Sequence, residues 1–308
     1  MTAQSLSEKV AFWELDHKNE GQPISIPSSV QPCICTSGTV DIGIFEEPED
    51  IRIPVEKADV KPGGKYHSIL KLFFRFGASQ TWTTATGWLL DSDIVVTAAH
   101  CIYEDNQRAT CAIACIGYDA NPETTDISTG EQRLVSRVVM PFEWIASENE
   151  QHDMAFLQLN SPFENATPIA RGTPEINTLQ QITVIGYPTD LGTGEKIGDQ
   201  MYKMQISRDI NLKRTKRNML VYQGDFKGGF SGAPVIRDSD FAAIGVHARG
   251  GSFNSAVVID GPYGVRFQAY EEVLRMLDKG STDSALEIET DINRNWLKYI
   301  HVLYESQF

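Results

Sequence analysis

Gly228-Gly-Phe-Ser-Gly-Ala-Pro-Val235 is the stretch on which the reading of this 308-residue chain turns. A serine flanked by glycines on a sharp turn presents its hydroxyl with no neighbouring side chain in the way, and Ser231 is such a serine. Gly229 is free to bring its backbone N–H, with that of Ser231, toward one point where a negatively charged oxygen would be held. Serine alone is a poor nucleophile; it needs a base, and the base needs an orienting acid. Both stand upstream. Val95-Val-Thr-Ala-Ala-His-Cys101 ends an apolar run at His100, and His152-Asp-Met-Ala-Phe-Leu-Gln-Leu159 opens one at Asp153. His152 itself reads as a surface neighbour.

Composition narrows the rest. A net charge of −14 with a pI near 4.9 argues against nucleic acid as a partner, because a phosphate backbone would be repelled. No apolar run approaches the roughly 20 residues that span a bilayer, so no membrane partner is expected. The opening residues lack a basic segment followed by an apolar one, so no secretory signal is readable. The expectation is a cytoplasmic protein, or a secreted one if a leader was trimmed. Five cysteines, at 33, 35, 101, 111 and 115, are odd in number and show no metal-ligand spacing. They read as mostly free thiols in a reducing compartment. The sequon Asn165-Ala-Thr167 then reads as an unmodified surface loop.

Residues 1–50 differ from the rest, with Pro23, Pro27, Pro32 and Pro48, an acidic Glu46 to Asp50 run and little periodicity. They suggest an extended arm with one short helix over 6–13. From 51 onward short β-rich runs alternate with Gly and Asp turn signals, at 68–76, 83–90, 94–97, 134–139, 155–159, 181–185, 201–207, 219–222, 235–236, 242–247 and 256–259. Tyr270, Val273, Leu274 and Leu277 then repeat at helical spacing before Gly280. Ile292, Trp296, Leu297, Ile300 and Leu303 suggest a second amphipathic helix after a polar linker, packed on the body of the protein.

Taken together these motifs resemble the chymotrypsin-fold serine proteases, most closely the staphylococcal-type glutamyl endopeptidase branch. The resemblance runs from about 51 to 278. It rests on Lys65-Tyr-His-Ser-Ile-Leu-Lys-Leu72, Thr97-Ala-Ala-His-Cys101 and Asp153-Met-Ala-Phe156. It continues through Ile182-Thr-Val-Ile-Gly-Tyr-Pro188, the Ser231 segment and Ile244-Gly-Val-His-Ala-Arg-Gly-Gly251. The order His, Asp, Ser is the chymotrypsin order. The resemblance implies an all-β fold of two six-stranded antiparallel β-barrels with C-terminal helices. The domains would be an N-terminal extension (1–50, propeptide-like or an arm), a first barrel (51–165), a second barrel with its helix (166–280) and a C-terminal helical extension (281–308).

It also implies roles. Ser231 would attack a peptide carbonyl and form an acyl-enzyme, His100 would carry the proton, and Asp153 would orient the imidazole. Gly229 and Ser231 would supply the oxyanion hole. No metal or organic cofactor is required, and the partner is a protein or peptide substrate. Two departures matter. Trypsin-type enzymes place an aspartate before the nucleophile to receive a newly cut N-terminus; Phe230 cannot do so, and that switch is absent. In many relatives the cysteine after the histidine is bridged to the preceding strand, but residues 83–90 hold none, so Cys101 has no such partner.

Specificity stays open between two residues. His247 matches the histidine that reads the substrate carboxylate in glutamyl endopeptidases, with Arg249 adding positive potential, and suits cleavage after Glu or Asp. Asp225 lies six residues before Ser231, where trypsin-like enzymes carry the acid that selects Lys or Arg. Lys227 stands beside it, able to pair with Asp225 or to reach into the pocket. The alternative of another class is a protease-fold binding module with little catalysis. A protease loose inside a cell would do harm, so a regulatory protein partner is expected, and the arm is expected to restrain the site.

Overall fold

A computed structural model describes residues 5–15, 30–32, 50–120, 130–175, 178–191, 198–211, 219–222, 228–250, 254–260, 264–278 and 288–305. The strands in chain order are β1 (Ser5–Glu14), β2 (Val30–Pro32), β3 (Ile53–Pro54), β4 (Ile69–Phe76), β5 (Trp82–Asp91) and β6 (Ile94–Thr97). Then come β7 (Tyr103–Glu104), β8 (Gln107–Ile116), β9 (Glu131–Pro141), β10 (Ala155–Leu159), β11 (Leu179–Gly186) and β12 (Tyr202–Asn211). The last are β13 (Met219–Tyr222), β14 (Pro234–Arg237), β15 (Ala242–Arg249), β16 (Asn254–Val258), β17 (Ile288–Thr290) and β18 (Lys298–Glu305). The helices are α1 (Lys57–Val60), α2 (Phe142–Ser147) and α3 (Phe267–Asp278).

Two sheets form. The first runs β17-β18-β1-β9-β10-β6-β5-β4-β8-β7, with β2 laid parallel along β5. Because β8 also pairs with β9, strands β4, β5, β6, β10, β9 and β8 close into a six-stranded antiparallel barrel. The second runs β13-β16-β15-β14-β11-β12-β3 and, among the described residues, stays a half-barrel. Its outer strand β12 pairs with β3 from the N-terminal side of the first barrel. The β-rich runs of the sequence recur as strands. The helix expected at Tyr270 to Leu277 is α3, whose Phe267, Tyr270, Val273 and Leu274 are buried. Tyr270 stacks on Phe156 at 4.8 Å between ring centroids.

Two expectations are corrected. Residues 6–13 are not helical: they lie in β1, paired antiparallel to β9 on one side and β18 on the other. Val10, Ala11, Phe12 and Trp13 are all buried, so both faces of the strand are covered and the alternation that would mark a strand is erased. Nor is 292–303 an amphipathic helix. Ile292 and Leu303 of the supposed stripe are exposed, and β17 and β18 form a hairpin that buries Leu297, Tyr299, Ile300 and Val302. The two terminal extensions therefore complete the first sheet rather than hang from it.

One contact across this seam titrates. Glu8 of β1 accepts a hydrogen bond from the Tyr270 hydroxyl of α3, and burial pushes its carboxyl up from 4.5 to about 7, with Glu143 adding to the rise. A carboxyl raised by folding contributes stability that is complete below its unfolded value and is lost as pH climbs through the folded one. Thermal stability is therefore expected to fall as pH rises from about 4.5 to 7. Glu8→Gln should remove that slope and, at pH 8, raise Tm by about 2–4 °C. Equal pH slopes in the two proteins would refute the assignment.

Candidate active site

His100 is delivered by β6, an apolar strand buried along its whole length, which ends in a 3-10 turn at Ala99–Cys101. Asp153 follows a second short 3-10 turn at Glu150–His152, shaped by the Asn149 side chain accepting from the Gln151 N–H at 3.2 Å. Ser231 comes from the glycine-rich turn ahead of β14 in the second sheet. The three meet between the sheets. His100 Nδ1 lies 2.8 Å from Asp153 Oδ2, and His100 Nε2 lies 2.9 Å from Ser231 Oγ. The other carboxylate oxygen, Oδ1, accepts the His100 backbone N–H at 2.9 Å, so Asp153 grips both ring and backbone. Asp153 is fully buried, whereas Ser231 keeps 9% of its surface exposed. A buried acid, a buried base and a largely buried hydroxyl in one bonded line define a path along which a proton could move.

The turn around Ser231 is fixed on every side. Gly229 adopts φ +97°, and a Cβ there would stand 2.2 Å from the Tyr187 carbonyl oxygen; Gly232 adopts φ +85°, where a Cβ would stand 2.2 Å from Thr97 Oγ1. Only glycine fits either place. From the first barrel Thr86 donates its hydroxyl to the Gly229 carbonyl at 2.7 Å and its N–H to the Ser231 carbonyl at 2.9 Å, while accepting the Tyr187 N–H at 3.0 Å. Phe230 is wholly buried in the second sheet's core.

His247, on β15, is buried, and its Nδ1 lies 2.5 Å from the Tyr222 hydroxyl. Burial pushes its pKa down to about 3, with the nearby His100 lowering it further, so the ring is neutral across the physiological range. Burial also raises the Tyr222 phenol well above 10. The phenol therefore keeps its O–H and is able to donate to Nδ1, an arrangement that would leave the ring hydrogen on Nε2. Arg249 Nη1 is 2.6 Å from Glu150 Oε1, so its charge arrives together with a carboxylate. Asp225 and Lys227 lie outside the described residues. His152 is half-buried rather than a surface residue, and burial lowers its pKa. Cys101, Cys111 and Cys115 form no disulfide among the described residues, while Cys33 and Cys35 lie outside them. Thr86 and Tyr222 went unnoticed in the sequence, for each acts through a distant partner that its own neighbours do not announce.

A family model described as trypsin-like peptidase domain matches residues 85–246. The chain belongs to that family, and its closed six-stranded barrel and half-barrel, with the C-terminal helix, fit the chymotrypsin fold. It is similar to the glutamyl endopeptidase of Bacillus licheniformis, 28% identical over 158 residues covering 51% of this chain and 46% of that protein. It is also similar to an extracellular metalloprotease of Bacillus subtilis, 26% identical over 195 residues covering 61% of this chain and 58% of that protein. The chain thus spans about half the length of the relatives it matches. For the metal in the second name, no group of three or more His, Cys, Asp or Glu stands together among the described residues. Among solved structures a Glu endopeptidase in complex with MPD aligns with a TM-score of 0.57 at 20% identity, covering 74% of this chain and 98% of that one.

Proposed function

We propose that this protein is a serine endopeptidase that cleaves after Glu or Asp. The observation that carries the reading is the bonded line from Asp153 through His100 to Ser231. Ser231 Oγ attacks the scissile carbonyl as His100 Nε2 takes its proton, and Asp153 Oδ2, accepting from Nδ1–H, stabilises the imidazolium. The carbonyl oxygen, now negative, is held by the Gly229 and Ser231 N–H groups. His100 returns the proton to the departing amine, and a water deacylates Ser231 by the same path. A bare binding module has no need of this alignment.

The preference for an acidic residue is supported by His247. Its Nε2–H, set by Tyr222, suits a substrate carboxylate oxygen as a donor whose state does not change between pH 5 and 8. His247→Ala should lower kcat/KM on glutamyl peptides by about 10–100-fold, the worth of one hydrogen bond to a charged group. Tyr222→Phe, which frees the tautomer, should cost about 10-fold. A decrease equal on glutamyl and on uncharged peptides would sink the assignment.

The deciding experiment is a mixed peptide library digested by the full chain and by Ser231→Ala, with cut sites read by mass spectrometry. Cuts after Glu or Asp that vanish in the variant support the reading. Cuts after Lys or Arg would transfer the specificity to Asp225. No cuts, together with no fluorophosphonate labelling of Ser231, would favour the binding module. That Cys101, Cys111 and Cys115 are joined by no disulfide among the described residues supports a reducing, cytoplasmic setting for this activity; a bridge at Cys111 or Cys115 in protein taken from its native cells would overturn that.

A further inference from the structure

The peptide between Gly228 and Gly229 has two ends of opposite consequence. Turned one way its N–H faces the point where the substrate oxygen is held; turned the other way its carbonyl faces that point and repels it. The Gly228 carbonyl is bound twice by a single residue, Thr189, through the N–H at 2.7 Å and Oγ1 at 2.7 Å. The next residue, Asp190, is held in turn by both terminal nitrogens of Arg52, Nη1 to Oδ1 at 2.7 Å and Nη2 to Oδ2 at 2.8 Å. Arg52 is itself clamped by Asp50, from Nε at 2.9 Å and Nη2 at 2.8 Å. Its side chain is only 2% exposed. The segment lies along the second sheet, where β3 pairs with β12, the Val55 N–H bonds to the Met201 carbonyl at 2.9 Å, and Val55 is buried.

We propose that Arg52 is a positioning residue for the hydrolysis: its guanidinium fixes the turn at Thr189 and Asp190, and through Thr189 keeps the Gly229 N–H turned toward the substrate oxygen. The inference rests on Ser231 being the nucleophile. A planar guanidinium can hold two carboxylates in one plane as an ammonium cannot, and bonds of this kind set direction as well as energy. The oxyanion turn is thus set by a side chain from the interior of the chain, while Phe230, packed in the core, offers no charge to a liberated amine. Residues 50–55 hold the site in its working form.

The test uses the full chain with Arg52→Gln, Arg52→Lys, Asp190→Asn and Thr189→Val, alone and with Arg52→Gln and Thr189→Val combined. Arg237→Gln, which breaks another Arg–Asp pair of the second sheet, is the control for general destabilisation. Arg52→Gln is expected to lower kcat on a glutamyl peptide by about 10–100-fold, part of the loss seen when a whole oxyanion donor is removed, with KM within about twofold. Hydrogen exchange should quicken in peptides covering Gly228 to Ala233. Arg52→Lys should recover little, and the double variant should be no slower than Thr189→Val alone. Should Arg52→Gln fail to fold, Asp190→Asn, at a partly exposed carboxylate, carries the same expectations. Wild-type turnover and exchange in the folded variants, additive losses with Thr189→Val, or an equal loss in Arg237→Gln would each overturn the proposal. A wild-type chain that a fluorophosphonate never labels would end the hydrolase reading instead, and the exchange rates would still decide whether Arg52 orders the turn.

Discussion

Ser231→Ala should reduce peptide hydrolysis by a factor on the order of 10⁵–10⁶ in kcat while the protein stays folded, since members of such a bonded set act as a unit. The substitution removes a single oxygen and keeps the Cβ, so little packing is lost. What disappears is the only acceptor for the covalent step. Asp153→Asn should cost about 10⁴-fold, because an amide nitrogen facing Nδ1 favours the wrong tautomer. That variant also tests the second grip. With the amide nitrogen in the place of Oδ2 and Oδ1 kept as an oxygen that accepts the His100 backbone N–H at 2.9 Å, the loss should appear in kcat and not in thermal stability. Measurable turnover by Ser231→Ala, at more than a thousandth of the wild-type rate, would mean that the hydrolysis belongs to another group.

Deletion of residues 1–15 should leave a chain that does not fold stably, where removal of an inhibitory arm would leave one more active. β1 fills the place between β9 and β18, so its loss strips two strands of their partner. It also withdraws Val10, Phe12 and Trp13 from the core. Each buried side chain of this kind contributes roughly 1.5–3 kcal/mol. Together they approach the whole stability of a domain, about 5–15 kcal/mol. Trp13→Ala alone should cost about 3–5 kcal/mol, by denaturant unfolding. A truncated protein with unchanged Tm and raised turnover would restore the propeptide reading.

Much of the site was legible in the sequence because catalysis by a nucleophilic serine demands particular residue types inside short, unusual surroundings. Gly229 and Gly232 are such places: their backbone angles and close neighbours admit no other residue, so the turn announces itself. The apolar runs that deliver His100 and Asp153 are likewise local. The errors fell where burial on both faces conceals period. In β1 the run Lys9-Val-Ala-Phe-Trp13 is covered by helices and neighbouring strands on two sides, and no alternation remains to distinguish strand from helix. In the C-terminal stretch, apolar residues at 292, 296, 297, 300 and 303 happen to fit a helical wheel. Only the pairing of β17 with β18 decides which of them turn inward.

The sequence by itself thus determined the chemistry: a glycine-held serine, a histidine at a strand end, an aspartate at a strand start and a run of short strands to carry them. Such signals are written within a few residues, because turns and strand ends have strict steric needs. Only the tertiary structure decided how the site is held. Thr86 reaching the Gly229 carbonyl from the other barrel, Tyr222 bonding to His247 Nδ1, and Arg52 gripping Asp190 across 138 positions of chain are bonds between residues with no local mark. Their partners are chosen by where the barrels bring the backbone, and that is a property of the packed chain.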